Sequence, residues 1–263
     1  MFLTTDPLVA LGFFVLGTTA ASFIGLVAAR LSTGAPIVNG RSVCDACSAK
    51  LSPYALVPIF SWLFGAGRCF VCKSRFSALG ALTEFMLGAL FALAYLQLGL
   101  SFALLFLLIT LTLLMGLVLY DLAHHILPFA LLAPFVATSV TYGYFASCGF
   151  ALPTVDCLLA TVSTALIVTL FVALIHFGSL GRAMGFADIP LTFGLALIAG
   201  PLALSGLLYA FWIGGGIGII LLSARAIGAR IESEVPFAPF LASGFLLAYF
   251  TQWDIFALLG LAL

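Results

Sequence analysis

Long apolar runs dominate this 263-residue chain and restrict it to the folds that a lipid bilayer allows. A helix of about 17 to 25 apolar residues is long enough to span a bilayer. Only 7% of the residues are charged, against roughly 25% in a soluble domain. The sequence therefore predicts an all-α polytopic membrane protein with about eight transmembrane helices. The eight apolar runs lie at about residues 7–30, 79–99, 101–120, 127–147, 157–180, 190–206, 207–223 and 237–253.

The positions of the basic residues predict the topology of these spans. With eight spans, all nine lysines and arginines fall on one side of the membrane, after spans one, three, five and seven or at their ends. The positive-inside rule makes that side the cytosol and places the N-terminus on the opposite side. No basic tract is present, so we expect no nucleic-acid partner. The basic residues are Arg30, Arg41, Lys50, Arg68, Lys73, Arg75, Arg182, Arg225 and Arg230.

Two aspartates stand where apolar runs stop, Asp121 after the third span and Asp188 before the sixth. In the predicted topology both lie at the cytosolic face, where an ionisable group in a membrane bundle usually has a function. Two carboxyls held close together do not both ionise easily, so one can act as a general acid while the other activates a water molecule. Alternatively, the two residues are a helix cap and a loop charge at the membrane surface.

The one long loop, residues 31–78, contains two Cys-x-x-Cys pairs separated by 21 residues. This spacing is typical of structural zinc sites, in which four thiolates surround the ion. Cytosolic thiols stay reduced, which favours a metal over disulfides. We predict a zinc-binding loop between a first transmembrane helix at residues 1–30 and a membrane core at residues 79–263; four unligated thiols are the alternative. The predicted ligands are Cys44, Cys47, Cys69 and Cys72.

The remaining two cysteines, Cys148 and Cys157, flank the predicted outer loop between the fourth and fifth spans. We expect them to be small buried hydrophobic residues. A disulfide is the alternative, because that loop would face an oxidising compartment.

Glu84 lies one turn inside the second span and needs a polar partner there. Arg75 and a polar group of a substrate are the candidates. We expect a structural ion pair.

Several motifs in the chain match the pattern of one family. The family's first catalytic motif, an Asp followed by Leu-Pro, is similar to Asp121 with Leu127-Pro128, and its second, Gly-x-Gly-Asp, is similar to residues 185–188. The cysteine loop also matches and is followed by Glu84, and residues 235–240 look like the family's Pro-Phe-Gly-Pro run. Over nearly its whole length the chain thus resembles the type IV prepilin peptidases, bifunctional membrane aspartyl proteases of bacterial pilus and type II secretion systems.

The resemblance implies that the protein removes the short basic leader of prepilins or pseudopilins at the cytosolic face of the bacterial inner membrane. Asp121 and Asp188 would be the catalytic pair, with Gly185, Ala187 and Glu84 in supporting positions. Many members then methylate the new N-terminus, which implies S-adenosylmethionine as a second cofactor beside structural zinc. The implied partners are the prepilin or pseudopilin substrates and the lipid bilayer.

Three positions depart from the family pattern. The family's glycine before the second aspartate is Ala187, its lysine two positions after that aspartate is Pro190, and the acidic residue that often follows Leu-Pro is Phe129. Two of these changes remove charge near the aspartates. They leave both aspartates in place and bear on efficiency and substrate preference.

Two other functions are compatible with these residues. A presenilin-like intramembrane aspartyl protease is favoured by Tyr120-Asp121 but disfavoured by the cysteine loop and by the boundary position of both aspartates. A non-enzymatic ion or metal transporter would use the carboxyls as an ion relay and the cysteines as a metal sensor. That transporter predicts inverted sequence halves, and no convincing internal repeat is evident.

Overall fold

The computed structural model describes residues 6–31, 47, 71–74, 78–149, 155–182, 184–226, 236–258 and 260. Within these ranges all regular secondary structure is helical, which confirms the predicted all-α class. The helices are α1 (Pro7–Leu31), α2 (Ala78–Leu98), α3 (Phe102–His124), α4 (Phe129–Cys148), α5 (Val155–Gly178), α6 (Asp188–Ala199), a 3-10 turn (Gly200–Leu202), α7 (Ala203–Ala226), α8 (Ala238–Thr251) and α9 (Ile255–Leu258).

Seven of the eight predicted apolar runs each lie mainly on one helix, and the run at residues 190–206 covers α6, the 3-10 turn and the start of α7. Among the described residues, five helical segments are long and apolar enough to cross a membrane, which confirms a polytopic membrane protein. Two further apolar helices are shorter, namely residues 162–178 of α5 and the whole of α8. The five long segments are Pro7–Leu31, Leu79–Leu98, Phe102–His124, Phe129–Cys148 and Asp188–Ala224, the last of which includes both α6 and α7.

The predicted boundary between the sixth and seventh spans, at residues 206 and 207, is wrong. Helix α6 ends at Ala199 and has 12 residues, so it is about 18 Å long. Gly200 ends it with a φ of 58°, a conformation that glycine adopts without steric penalty. Pro201 follows in the 3-10 turn and has no N–H to continue the helix. Hydropathy missed this break because the residues around it are all apolar.

The chain divides into two compact units, the first within residues 1–104 and 111–116 and the second within residues 105–110 and 117–263. The predicted division into residues 1–30, 31–78 and 79–263 stays a prediction, since most of the loop lies outside the described residues.

In the first unit, α1 and α2 lie against each other at two glycines. A Cβ on Gly17 would lie 2.8 Å from the Cα of Gly88, so only small residues allow this approach of the two helices. Further along the same pair of helices, the rings of Phe13 and Tyr95 stack with their centroids 4.9 Å apart.

In the second unit, the short helix α6 is the central element. It contacts α4, α5, α7 and α8, and nine of its twelve residues are buried. At Gly194 the backbone of α6 touches the ring of Phe135 and the hydroxyl of Ser139 on α4, which leaves no space for a Cβ. Surrounded on several sides, α6 holds its first residue, Asp188, in a fixed place in this unit.

Helix α8 is fixed in the second unit by small residues and by a buried hydrogen bond. Its Gly244 lies against the backbone of Gly206 and Ala210 on α7. On another face, the hydroxyl of Tyr142 on α4 donates to the hydroxyl of Tyr249 over 2.9 Å. These contacts hold the middle and the end of α8, and the start of this helix borders the candidate site described below.

The segment after α8 is tied back to α7 through Ser205 and Asp254. The buried hydroxyl of Ser205 donates to Asp254 Oδ1 over 2.8 Å, and the same carboxyl oxygen accepts the N–H of Phe256 at the start of α9. The hydrogen bond from Ser205 lowers the pKa of Asp254 below its usual value.

Cys148, the last residue of α4, is disulfide-bonded. The expectation of a buried thiol at this position is therefore wrong, and the disulfide alternative holds for Cys148.

Candidate active site

A cavity of about 620 Å³ lies in the second unit, and both Asp121 and Asp188 line it. Four parts of the chain form its wall: Asp121 with residues 125–127, the loop between α5 and α6, the start of α6 and the two residues before α8. The structure thus brings together two carboxyls that are far apart in sequence. The lining residues are Asp121, His125, Ile126, Leu127, Gly181, Arg182, Met184, Gly185, Phe186, Ala187, Asp188, Pro236 and Phe237.

Asp121 lies in the last turn of α3 and is 6% exposed. Its Oδ2 accepts a hydrogen bond of 3.1 Å from the backbone N–H of Ala238, the first residue of α8. The first N–H groups of a helix have no partner within the helix, and together they carry a partial positive charge. Helix α8 therefore both orients the Asp121 carboxyl and compensates part of its burial.

The chain turns sharply just after Asp121. His125 has a φ of 55°, and its N–H donates to the backbone carbonyl of Asp121 over 2.8 Å. This left-handed residue ends α3 in the manner of a helix C-cap. The turn leads from the cavity wall at His125 to Leu127 and on to α4.

Asp188 is the first residue of α6 and is 7% exposed. Its Oδ2 accepts a hydrogen bond of 2.9 Å from the N–H of Gly185, and its own N–H donates to the Gly185 carbonyl over 3.2 Å. A side chain that reaches back three residues to a backbone N–H is also found in helix capping boxes. The Asp188 side chain is thus held by the loop before its own helix.

Ala187 and Pro190 fit the backbone at the positions where the family has glycine and lysine. Ala187 has a φ of −71° and a ψ of −15°, which any residue adopts. Pro190 lies in the first turn of α6, where a helix N–H has no partner within the helix and its loss is tolerated. These two departures therefore do not disturb the placement of Asp188.

The two carboxyls are close enough to interact electrostatically across the cavity. Each has one oxygen held by a backbone N–H, from Ala238 for Asp121 and from Gly185 for Asp188. Within the part of the chain that the structure describes, no hydrogen bond holds the second oxygen of either carboxyl, so this oxygen is available to bind a water molecule or a substrate. An arrangement of this kind is suited to general acid–base chemistry.

Sequence reasoning gave no role to two parts of this site. His176, at the end of α5, lies 2.8 Å from the carbonyl oxygen of Met184 and interacts electrostatically with Asp188. Pro236 and Phe237 complete the wall, and the next residue, Ala238, supplies the donor to Asp121. The sequence signal for His176 is a histidine at the end of an apolar run, twelve positions before Asp188. The signal for the residues before α8 is the pair of prolines at the start of an apolar run.

Of the four predicted zinc ligands, Cys44 and Cys69 lie outside the described residues. Cys47 and Cys72 are exposed, and the Sγ of Cys72 lies 3.0 Å from the Ser74 hydroxyl. No group of three or more potential metal ligands occurs among the residues that the structure describes. A set of four thiols fits zinc chemically, so the zinc site stays a prediction.

Glu84 belongs to the first unit, where the Ser22 hydroxyl on α1 is a hydrogen-bond partner of its carboxyl. Its predicted ion-pair partner, Arg75, lies outside the described residues. The need of Glu84 for a polar partner is met at least in part by Ser22.

The chain is similar to known proteins both in its N-terminal part and over nearly its whole length. A family model for the bacterial peptidase A24 N-terminal domain matches residues 15–98. A prepilin leader peptidase/N-methyltransferase of Bacillus subtilis (strain 168) is 29% identical over 90% of this chain and 92% of its own length. Another, of Burkholderia pseudomallei (strain K96243), is 28% identical over 94% of this chain and 86% of its own length.

A third relative of the same name, from Myxococcus xanthus, is 31% identical, but the match covers 52% of this chain and only 41% of the relative. No solved structure matches the chain significantly. The peptidase A24 match begins in α1 and ends with α2, and the nearly full-length relatives extend the likeness to the helices that carry both aspartates. The chain is therefore similar to prepilin leader peptidase/N-methyltransferases over nearly its whole length, and residues 15–98 match the bacterial peptidase A24 N-terminal domain.

Proposed function

We propose that this protein is an aspartyl endopeptidase that removes the leader from prepilins or pseudopilins. One observation carries the proposal: Asp121 and Asp188, both buried and on different helices, line one cavity with one oxygen of each carboxyl fixed by a backbone N–H. The names of the relatives support the substrate class.

In the proposed mechanism a water molecule lies between the two carboxyls, one of them ionised and the other protonated. The ionised carboxylate takes a proton from the water as its oxygen attacks the scissile carbonyl carbon, and the protonated carboxyl gives its proton to the carbonyl oxygen. The C–N bond of the tetrahedral intermediate then breaks: the leaving nitrogen receives the proton that the pair holds, and a hydroxyl of the intermediate returns its proton to the pair as the new carboxyl group forms. The pair thus again holds one proton, and it titrates as a unit rather than as two separate groups.

We propose that the site faces the cytosol from the bacterial inner membrane. The positions of the basic residues support this orientation. The disulfide-bonded Cys148 adds support: it ends the 20-residue α4, about 30 Å along the helix from the cavity end. Disulfides persist in oxidising compartments such as the periplasm. The basic leader of a substrate would then stay in the cytosol beside the cavity.

We also propose that the protein methylates the new N-terminus, as the names of the relatives include that activity. S-adenosylmethionine would supply the methyl group. Cys44, Cys47, Cys69 and Cys72 would hold a structural zinc ion that fixes their loop. In this proposal zinc takes no part in peptide cleavage.

The proposal can be tested with membranes that contain the protein and a tagged prepilin, with the products identified by mass spectrometry. We expect cleavage between the basic leader and the apolar stem, and a methyl mass increment once S-adenosylmethionine is added. A cut in the middle of the apolar stem would favour the presenilin-like alternative. Cleavage should survive removal of zinc by a chelator, whereas failure to cut any of several prepilins would favour a transporter.

A further inference from the structure

We infer that His176 is a positioning residue for Asp188 and acts through a single peptide group. The inference rests on the proposed function, because it assigns a catalytic role to Asp188. His176 lies in the last turn of α5 and is partly buried. It is not among the described residues that line the cavity.

The imidazole of His176 holds the backbone of the loop between α5 and α6. Its Nδ1 lies 2.8 Å from the carbonyl oxygen of Met184. A carbonyl oxygen only accepts hydrogen bonds, so Nδ1 carries the proton and donates it. The hydrogen bond therefore fixes the tautomer of the ring.

Two further contacts join this loop to His176. The N–H of Gly181 donates to the His176 carbonyl over 2.9 Å, and the ring of Phe186 meets the imidazole edge to face with centroids 5.8 Å apart. His176 thus contacts the loop at three points, namely Gly181, Met184 and Phe186.

The carbonyl of Met184 and the N–H of Gly185 belong to the same peptide group. That group is planar and trans, so its C=O and N–H point in opposite directions. On one side the C=O accepts from His176, and on the other the N–H donates to Asp188 Oδ2 over 2.9 Å. Rotation of this peptide would break both hydrogen bonds together.

This chain of two hydrogen bonds orients the donor that holds Asp188. Hydrogen bonds in series also polarise one another, which strengthens the bond to the carboxyl. Loss of the His176 donor frees the peptide to rotate and lets the Asp188 carboxyl leave its position beside Asp121. The reaction should then slow while substrate binding changes little.

The variants His176→Asn and His176→Phe separate this role from other roles of the ring. Asparagine places an amide N–H at the same number of bonds from Cβ as Nδ1, so it keeps the donor but loses the imidazole. Phenylalanine keeps an aromatic ring against Phe177 and Phe186 but has no donor.

In the prepilin cleavage assay we expect His176→Asn to keep kcat within about threefold of wild type and His176→Phe to lower it about tenfold, the effect of one hydrogen bond. KM should change by less than about twofold in both variants, because the altered contact does not reach the substrate. Equal losses in the two variants, or a loss confined to KM, would overturn the inference.

A second measurement does not depend on cleavage. Hydrogen exchange of the Gly185 amide, followed by mass spectrometry on purified protein, should be faster in His176→Phe and unchanged in His176→Asn. His124→Phe is a matched control, since the His124 ring packs against Tyr120 at a tilt and is not among the cavity-lining residues; it should leave this amide unchanged. If wild type cleaves no prepilin, the proposed function fails while this measurement still decides the inference. Equal exchange rates of the Gly185 amide in wild type and His176→Phe would refute the inference about His176.

Discussion

At the scale of single residues, Gly185 and Ala187 help to place the Asp188 carboxyl through their backbone, not through the absence of a side chain. Gly185 contributes its N–H to Asp188, and a Cβ built on it would lie 3.4 Å from Asp188 Oδ2, an ordinary contact distance. Ala187 has a backbone conformation that any residue adopts. At both positions the backbone geometry, rather than the absence of a side chain, places the carboxyl.

Gly185→Ala should therefore lower kcat by no more than about threefold, because the N–H donor stays and the added methyl group fits. Steady-state cleavage of a prepilin by purified protein measures this. A loss of about a hundredfold would mean that the glycine itself is required, and the role given to its N–H would be insufficient.

At the scale of elements, α6 determines where Asp188 lies. The helix is short and touches four other helices of its unit. At Gly194 it approaches Phe135 and Ser139 of α4 closely enough to leave no space for a Cβ. A helix enclosed in this way does not shift without disturbing its neighbours, which keeps the first residue in place.

Gly194→Ala should destabilise the protein by about 1–3 kcal/mol, the usual penalty for overpacking a buried contact. Gly215→Ala on α7 is the matched control, because nothing lies within 4 Å of a Cβ there; it should leave stability unchanged or raise it by up to about 1 kcal/mol. Thermal unfolding in detergent compares the two. Equal melting temperatures for the two variants would contradict the close contact between Gly194 and α4.

The link between Ser205 and Asp254 predicts a dependence of stability on pH. The pKa of Asp254 is lowered in the folded protein, mainly by the Ser205 hydroxyl. A lowered carboxyl pKa adds stability above the unfolded value of about 3.9, and this is lost as the pH falls through the folded pKa.

Wild type should therefore have a higher Tm than Asp254→Asn at pH 6, and the difference should shrink below about pH 4 as the carboxyl becomes protonated. Melting curves over a pH series, with Asp6→Asn as a control for an exposed carboxyl near the N-terminus, measure this. A difference that grows in acid would contradict the assignment.

For the molecule as a whole, hydropathy located the five long apolar helical segments among the described residues, because lipid demands a continuous apolar surface. It missed the break at Gly200 and Pro201, since composition does not change there. It also gave no sign of the hydrogen bond from Ala238 to Asp121, which joins residues 117 positions apart. The aspartates were found as rare charges at helix ends, whereas the backbone groups that orient them have no sequence signature.

The proposed orientation of the whole molecule predicts which loops face the cytosol. Leu100 and Leu180 are 77% and 84% exposed and follow α2 and α5. Leu180→Cys and Leu100→Cys are each made in a variant without native cysteines and treated with a membrane-impermeant maleimide. The Leu180→Cys variant should react only from the cytosolic side, and the Leu100→Cys variant only from the periplasmic side. Reaction of both from the same side would contradict the topology.

The central claim is that Asp121 and Asp188 act as one catalytic pair, and the direct test compares wild type, Asp121→Asn, Asp188→Asn and the double variant in prepilin cleavage. Asparagine keeps the size and the hydrogen-bond acceptor but does not titrate. We expect each single variant to lose cleavage by about a thousandfold or more and the double variant to lose little beyond that, since residues that act as a unit are not additive. Cleavage at the wild-type rate by either properly inserted single variant would show that its aspartate is structural, and the proposed mechanism would be wrong.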